Sequence, residues 1–539
     1  MALWINNIDN EKWIEFFSSI FTNTKHTQKT KNHLFNELLY AAEILSIWIA
    51  SYEFNDNFIR LDKTLLSSDS AFISLQRDIS DLIHKIQENS IDLDSTKHDF
   101  EHIEVLIQQC NKQVEKLKNK SIKHGISINL TYELERLTQI IERLEDILEL
   151  IKKFDTYSSH LAFVELFKES VKKNATKNSL YEIYQQSSRI VAKSITNNTG
   201  EHGEKYITNN LKEYALMFLS ASGAGILIAI MALIKINIVQ AEFSYAVQTL
   251  FSSLNYGFGF VIIHILGLTV ATKQPAMTAS TFAHAIEKED ENKRKVNQKK
   301  LLSLIFQVSR SQFAAVLGNV IFALIVAFVI AYFVINSGNT VLNAQESVYY
   351  LKKLEPYSAL LFAAIAGVWL FCSGLIAGYY DNRADLLELN RRYYHHPLLK
   401  KILSDTQRKS FANYLHEHHG AIAGNFFFGI LLGVTPFIGY LLNLPLDIRH
   451  VAFSTAYLGY ASMHIDLGVS EFLFYLMCLF LIGLVNLTVS FTLALKVSLV
   501  SKDTYFGNFF SFLKLLLIEI IKKPHHFIFP FKNKKSKKS

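Results

Sequence analysis

Residues 444–450 read Leu-Pro-Leu-Asp-Ile-Arg-His and pack a carboxylate, a guanidinium and an imidazole into the four positions Asp447 to His450. Such a trio can pair charge, hold an ion or pass a proton, and ionisable groups beside bilayer-length apolar runs are functional candidates. Asp447 and Arg449 could equally do no more than anchor the outer end of a membrane helix. A second set is Lys273-Gln274-Pro275, a cation and a carboxamide ahead of a residue that cannot continue a helical ladder. Its plainer reading is a snorkelling lysine at a helix stop. His264 lies in the same apolar run. A third set centres on Pro436, preceded by Gly420/Gly424 and Gly429/Gly433. Four-residue glycine spacing lets helices approach closely. Carbonyls freed by Pro436 near Gly433 face either a neighbouring helix or, as in discontinuous transporter helices, a solute.

A short echo links Ala-Val-Leu-Gly-Asn at 315–319 with Ala-Ile-Ala-Gly-Asn at 421–425. It sets Asn319 and Asn425 at matching depths and hints at a duplicated hairpin. His416, His418 and His419 are dense, but positions i, i+2 and i+3 of one helix do not converge on one ion, and His395-His396 has no acidic or Cys partner at ligand spacing. The three cysteines Cys110, Cys372 and Cys478 are far apart and make neither a CxxC site nor a disulfide framework. No metal and no cofactor is implied.

The elements that carry these residues follow from charge-free length. A helix needs about 20 apolar residues to cross a bilayer, and six runs free of Asp, Glu, Lys and Arg pass: 215–234, 251–271, 313–335, 357–380, 420–443 and 472–495. They are continuously apolar, which excludes a barrel. Lys and Arg number 8, 7 and 10 in segments 272–312, 381–418 and 496–539, against 1, 2 and 1 in 235–250, 336–356 and 444–469. The positive-inside rule then places both termini in the cytoplasm of an inner-membrane protein. The net charge of +7 is explained by this placement and by the lysines at 532–538. Residues 450–465 are uncharged but too short to cross, so an interfacial or re-entrant segment is expected there. Residues 506–521 read as a helix on the inner surface.

Residues 1–213 are polar, begin without a signal peptide, and predict a helical cytoplasmic domain. Ile103, Ile107, Cys110, Val114 and Leu117 step by 4 and 3. Leu130, Leu134, Leu137, Ile141, Leu144, Leu148 and Ile151 repeat that rhythm after Lys123-His124-Gly125. Two such helices make an antiparallel coiled-coil hairpin at about 100–155, which either packs within its own domain or serves a protein partner or self-association. The predicted fold is thus all-α: a helical domain 1–213, a six-helix membrane domain 214–496 with its re-entrant or interfacial segment, and an interfacial helix with a Lys-rich tail at 497–539. Membrane lipids are the expected partners.

The segments Ala-Thr-Lys-Gln-Pro-Ala-Met-Thr-Ala (271–279), Arg-Ser-Gln-Phe-Ala-Ala-Val-Leu-Gly-Asn-Val (310–320) and Leu-Pro-Leu-Asp-Ile-Arg-His-Val-Ala-Phe-Ser-Thr (444–455) resemble signatures of a bacterial integral-membrane family labelled site-specific recombinase. Asp381-Asn382, Arg391 and the glycine-rich start of the fifth run share the likeness, which covers most of 214–465. The resemblance implies DNA strand exchange. The residues do not supply its chemistry: no histidine has Arg three positions later, and Met1 to Thr24 contain no Arg. Phosphates are excluded from a bilayer by desolvation. Only the basic segments 272–312 and 381–418 offer nucleic acid an electrostatic surface. The sequence therefore favours a transporter, channel or envelope-assembly factor, with a DNA-acting recombinase and a membrane enzyme using Asp447 and His450 on a lipid or periplasmic substrate as the alternatives.

Overall fold

The computed structural model describes residues 2–22, 27–66, 70–88, 96–125, 127–154, 157–176, 192, 208, 210–270, 298–501 and three pairs at 514–515, 518–519 and 521–522. The chain divides into two compact units, Met1–Val191 and Ala192–Ser539, a division that falls before the compositional change at 213. Among the described residues every regular element is a helix.

The first unit contains α1 (Ala2–Asn7), α2 (Asn10–Thr22), α3 (Thr27–Ser51), α4 (Asp56–Leu61), α5 (Ala71–Glu88), α6 (Lys97–His124), α7 (Ile128–Lys152) and α8 (Tyr157–Thr176). The two heptad runs lie on α6 and α7, and every one of their twelve seam residues is buried. Gly125, at φ 77°, takes the chain out of α6, and the Ser127 hydroxyl accepts the Leu130 N–H at 3.0 Å to start α7. Phe35, Leu39 and Ile49 of α3 and Phe72, Leu75 and Ile79 of α5 share the same core. The hairpin thus spends its seam inside its own unit. Burial pushes the Cys110 thiol up to about 12, as befits a core residue.

By length and composition seven helices could cross a membrane, one more than expected; the extra one is Gln28–Phe54. Its Phe35, Leu39, Ala42 and Ile49 are 2 % exposed or less in that shared core. The apolar content that gives it the look of a span is used against α5 and α7.

The second unit holds α9 (Leu211–Gln240), α10 (Tyr245–Ile265), α11 (Gln298–Asn336), α12 (Ala344–Lys352), α13 (Pro356–Leu386), α14 (Leu389–Tyr394), α15 (Pro397–Ile402), α16 (Asp405–Leu442), α17 (Val451–Ser462) and α18 (Val469–Ser501). The six predicted runs are α9, α10, α11, α13, α16 and α18, most of them extended past their apolar stretch into polar flanks. We call the end with connections 241–244, 337–355 and 443–468 distal and the other proximal. Small residues set the packing. A side chain at Gly420 or Gly424 would strike Ala377 of α13, whereas one at Gly429 or Gly433 would strike the Gly257 or Ser253 backbone of α10. The two glycine pairs therefore serve opposite faces of α16.

At 12 residues, α17 is about 18 Å long, too short to cross. Ten of those residues, from Val451 to Ala461, are buried, with packing against α9, α11, α12 and α18. It is a half-helix enclosed by protein, the burial that a re-entrant segment needs.

Candidate functional site

At the distal end the chain leaves α16 at Asn443, a left-handed residue (φ 52°) whose N–H returns to Gly439 and Tyr440. Pro436 does not break α16: the helix runs through it to Leu442. A proline removes one ladder hydrogen bond, and glycine contacts to α10 with Thr435 Oγ1, bonded to Leu431 O (2.6 Å) and Trp369 Nε1 (2.8 Å), hold the helix on both sides. Of the two readings of Pro436, the discontinuous helix is not the one formed: the chain leaves the helix only at 443–450.

That connection turns back into the bundle. His450, at the start of α17, is buried among the rings of Phe260, Phe428 and Phe453, on three different elements. Asn486 of α18 secures the turn. Its Nδ2 donates to Ala363 O (2.7 Å) and Arg449 O (3.0 Å), while its Oδ1 accepts the Val451 N–H at 3.2 Å. The Arg449 N–H adds a bond to Phe362 O at 3.4 Å.

Asp447 is the centre of the charge. It lies 3.0 Å from Lys353 Nζ and 3.0 Å from Arg449 Nη1, and accepts the Ile448 N–H at 2.8 Å. Burial would raise its carboxyl, but Arg449, Lys353 and the Ile448 N–H outweigh this and hold it below the usual carboxylate range. Arg449 is 7 % exposed, bonds through Nε to Lys353 O at 2.8 Å, and stacks over Phe362. Lys235 of α9, bonded to Ser252 Oγ at 2.8 Å, feels both Asp447 and Lys353 through space. Three of the four basic residues in the charge-poor connections thus gather around one carboxylate. Tyrosines surround them: Tyr256 and Tyr457 hydroxyls lie 3.2 Å apart, and Tyr350 stacks on Tyr457 at 4.7 Å.

The remaining candidates do not join this cluster. His264 meets His418 at the proximal end, Nε2 to Nδ1 at 3.1 Å, with Tyr414 against His418. His416 pairs with Asp385 at 3.1 Å and His419 packs on Tyr380, so the three clustered histidines face different partners. Among the described residues no group of His, Cys, Asp and Glu is placed to hold a metal ion. Asn319 is buried and donates to Ala221 O (2.9 Å) and Thr269 O (3.0 Å), bridging α9 to the segment after α10. Asn425 donates to Ala421 O of its own helix at 2.8 Å, so the echoed sequences make different contacts. Lys273, Gln274 and Pro275 lie outside the described residues.

Asn486, Lys235 and Lys353 stand in or beside the distal cluster and were not singled out by sequence reasoning, which named His418 without its partner His264. A signal existed for one: Asn486 is a lone carboxamide in the sixth apolar run.

Six long apolar helices around an enclosed half-helix define a multi-pass helical membrane protein. The model of the site-specific recombinase family matches residues 2–530, and the chain belongs to that family. No curated protein and no solved structure matches it.

Proposed function

We propose that this family member works in the inner membrane, with both termini in the cytoplasm, by binding and passing a polar solute or lipid headgroup at the distal cluster. The observation that carries this is Asp447 held between Lys353 and Arg449 on a segment that re-enters the bundle. Charged groups kept at such a place cost desolvation energy and are retained for work on a polar partner. A half-helix whose start meets polar side chains of neighbouring helices also resembles the way transporters build a binding site. The 25-to-4 imbalance of basic residues supports the orientation.

The family description favours a second reading, DNA strand exchange, with the basic segment 381–418 as its contact surface. One experiment separates the two. Purified protein is incubated with supercoiled plasmid, and the same preparation is reconstituted in vesicles and assayed for flux of a panel of labelled anions, cations and lipid analogues. The expected result is a flux that Asp447→Asn abolishes and plasmid that stays uncut. A covalent protein–DNA adduct would overturn the proposal. Reporter fusions within 340–350 should read periplasmic, and fusions within 381–418 and after Ser539 cytoplasmic; a periplasmic reading after Ser539 refutes the orientation.

A further inference from the structure

The connection between α13 and α16 carries the short helices α14 and α15 and folds against the first turns of α16. Between them lies an open pocket of about 360 Å³ lined by Asn390, Arg391, Tyr394, Asp405, Lys409 and Asn413, together with Ala412. Its carboxylate is already engaged. Asp405 Oδ1 takes Arg408 Nη2 at 2.6 Å and the Tyr394 hydroxyl at 2.9 Å, and the Arg408 guanidinium lies 4.7 Å over the Tyr394 ring.

What is left to a ligand is donor-rich. Arg391 meets Glu388 at 3.6 Å, both well exposed, a pairing worth little in water. Lys409 has no carboxylate within ion-pair distance among the described residues. Asn390 uses its Oδ1 on the Arg391 N–H at 2.7 Å, which leaves its Nδ2 as a donor. A guanidinium, an ammonium and a carboxamide N–H around one cavity suit a tetrahedral oxyanion.

A second, independent feature decides what bears that oxyanion. Leu398 and Ile402 of α15 are exposed, as is Phe411 of α16, the chain neighbour of the lining residue Ala412. Exposed apolar side chains on the elements that carry a pocket with Arg391 and Lys409, at the end of a spanning helix, match the acyl and headgroup halves of an anionic lipid. We propose that this pocket binds the phosphate of an anionic phospholipid. The assignment stands apart from the distal cluster and does not depend on it.

The test uses the full chain in detergent, titrated with phosphatidylglycerol, phosphatidylcholine or inorganic phosphate, with bound molecules counted by native mass spectrometry and unfolding temperature followed in parallel. Phosphatidylglycerol should be retained in preference to phosphatidylcholine. Arg391→Gln with Lys409→Gln should weaken that retention about tenfold, the loss of roughly one charge-assisted contact. Lys400→Gln with Lys401→Gln, which keeps the pocket, should stay within about twofold of wild type. Lys409→Gln alone, at an exposed position, should fall between and guards against a double variant that misfolds. Equal loss in the Lys400/Lys401 variant, equal retention of the two lipids, or pocket-dependent stabilisation by inorganic phosphate without any lipid preference would each overturn the proposal.

Discussion

Asn486 donates its side-chain N–H to the main-chain carbonyl of Arg449, 3.0 Å away across 37 residues of sequence. The same carboxamide closes the Val451 N–H and the Ala363 carbonyl, so the turn that sends 443–450 into the bundle depends on one fully buried side chain. Asn486→Leu strands buried backbone groups that cost roughly 1–3 kcal/mol each. Thermal unfolding in detergent should show a large loss. A cysteine at Ser454, 2 % exposed in the intact fold, should resist an impermeant thiol reagent in the parent and react in the Asn486→Leu background. Ready labelling in the parent would show that the half-helix is not enclosed.

The glycine contacts of α16 give a steric test. A side chain at Gly429 meets the Gly257 and Tyr256 backbone, which cannot rotate away. Gly429→Val should therefore separate α16 from α10 and lower the unfolding temperature sharply, since overpacking alone typically costs about 1–3 kcal/mol. Gly468→Ala, where the nearest atom is 4.0 Å from the new carbon, should be near neutral. Equal tolerance of both changes would contradict the packing.

The six long apolar helices of the second unit were legible because the length and lack of charge that crossing a bilayer demands can be read on each run separately. The heptad seams were legible for the same local reason. The site was legible only in part. Asp447 and Arg449 are neighbours in sequence, whereas Lys353 reaches Asp447 across 94 positions and His264 reaches His418 across 154, so no spacing rule could pair them. Pro436 left two readings open because proline removes one hydrogen bond, and a helix gripped by neighbours on both faces absorbs that loss. Depth was the other gap: sixteen uncharged residues fit an interfacial or a re-entrant segment equally, and the burial of α17 by neighbouring helices cannot be read from their lack of charge.

Acid should loosen the first unit through Asp62. Its carboxylate is 1 % exposed, 2.9 Å from Lys116 and 3.0 Å from Lys120, and accepts both the N–H and the hydroxyl of Thr64. Burial pushes its carboxyl up, but Thr64 and the two lysines outweigh this and hold it well below the usual range. A folded-state value below the unfolded one, near 3.9, gives a contribution that is complete above about pH 5 and lost as pH falls. Residues 1–205, expressed alone, should be soluble and helical by circular dichroism. Asp62→Asn should cost roughly 1–3 kcal/mol at neutral pH and flatten the stability curve between about pH 5 and 2. An unchanged acid limb in the variant would remove Asp62 from that role.

The distal cluster yields the sharpest contrast. An exposed ion pair is worth about 0–1 kcal/mol, while removing one partner of a buried pair costs roughly 3–5 kcal/mol because the other charge is stranded. Arg449 is on the buried side of that divide, with a side chain 8 % exposed, and Asp447 is intermediate at 26 %. Asp447→Asn should therefore be clearly destabilising, towards the larger figure. Arg449→Gln should be less so, because Lys353 remains 3.0 Å from the carboxylate. The double change Asp447→Asn with Arg449→Gln removes the stranded guanidinium and should recover part of the loss, although the Arg449 bonds to Lys353 O and Ile448 O go with it. Flux through reconstituted protein should stay absent in the double variant, since the charge proposed to meet the solute is gone although part of the stability returns. The readout is unfolding temperature beside flux for the wild type, both single variants and the double. Strictly additive destabilisation would show that the two charges do not act as a pair, and full flux in the double variant would take the function away from Asp447.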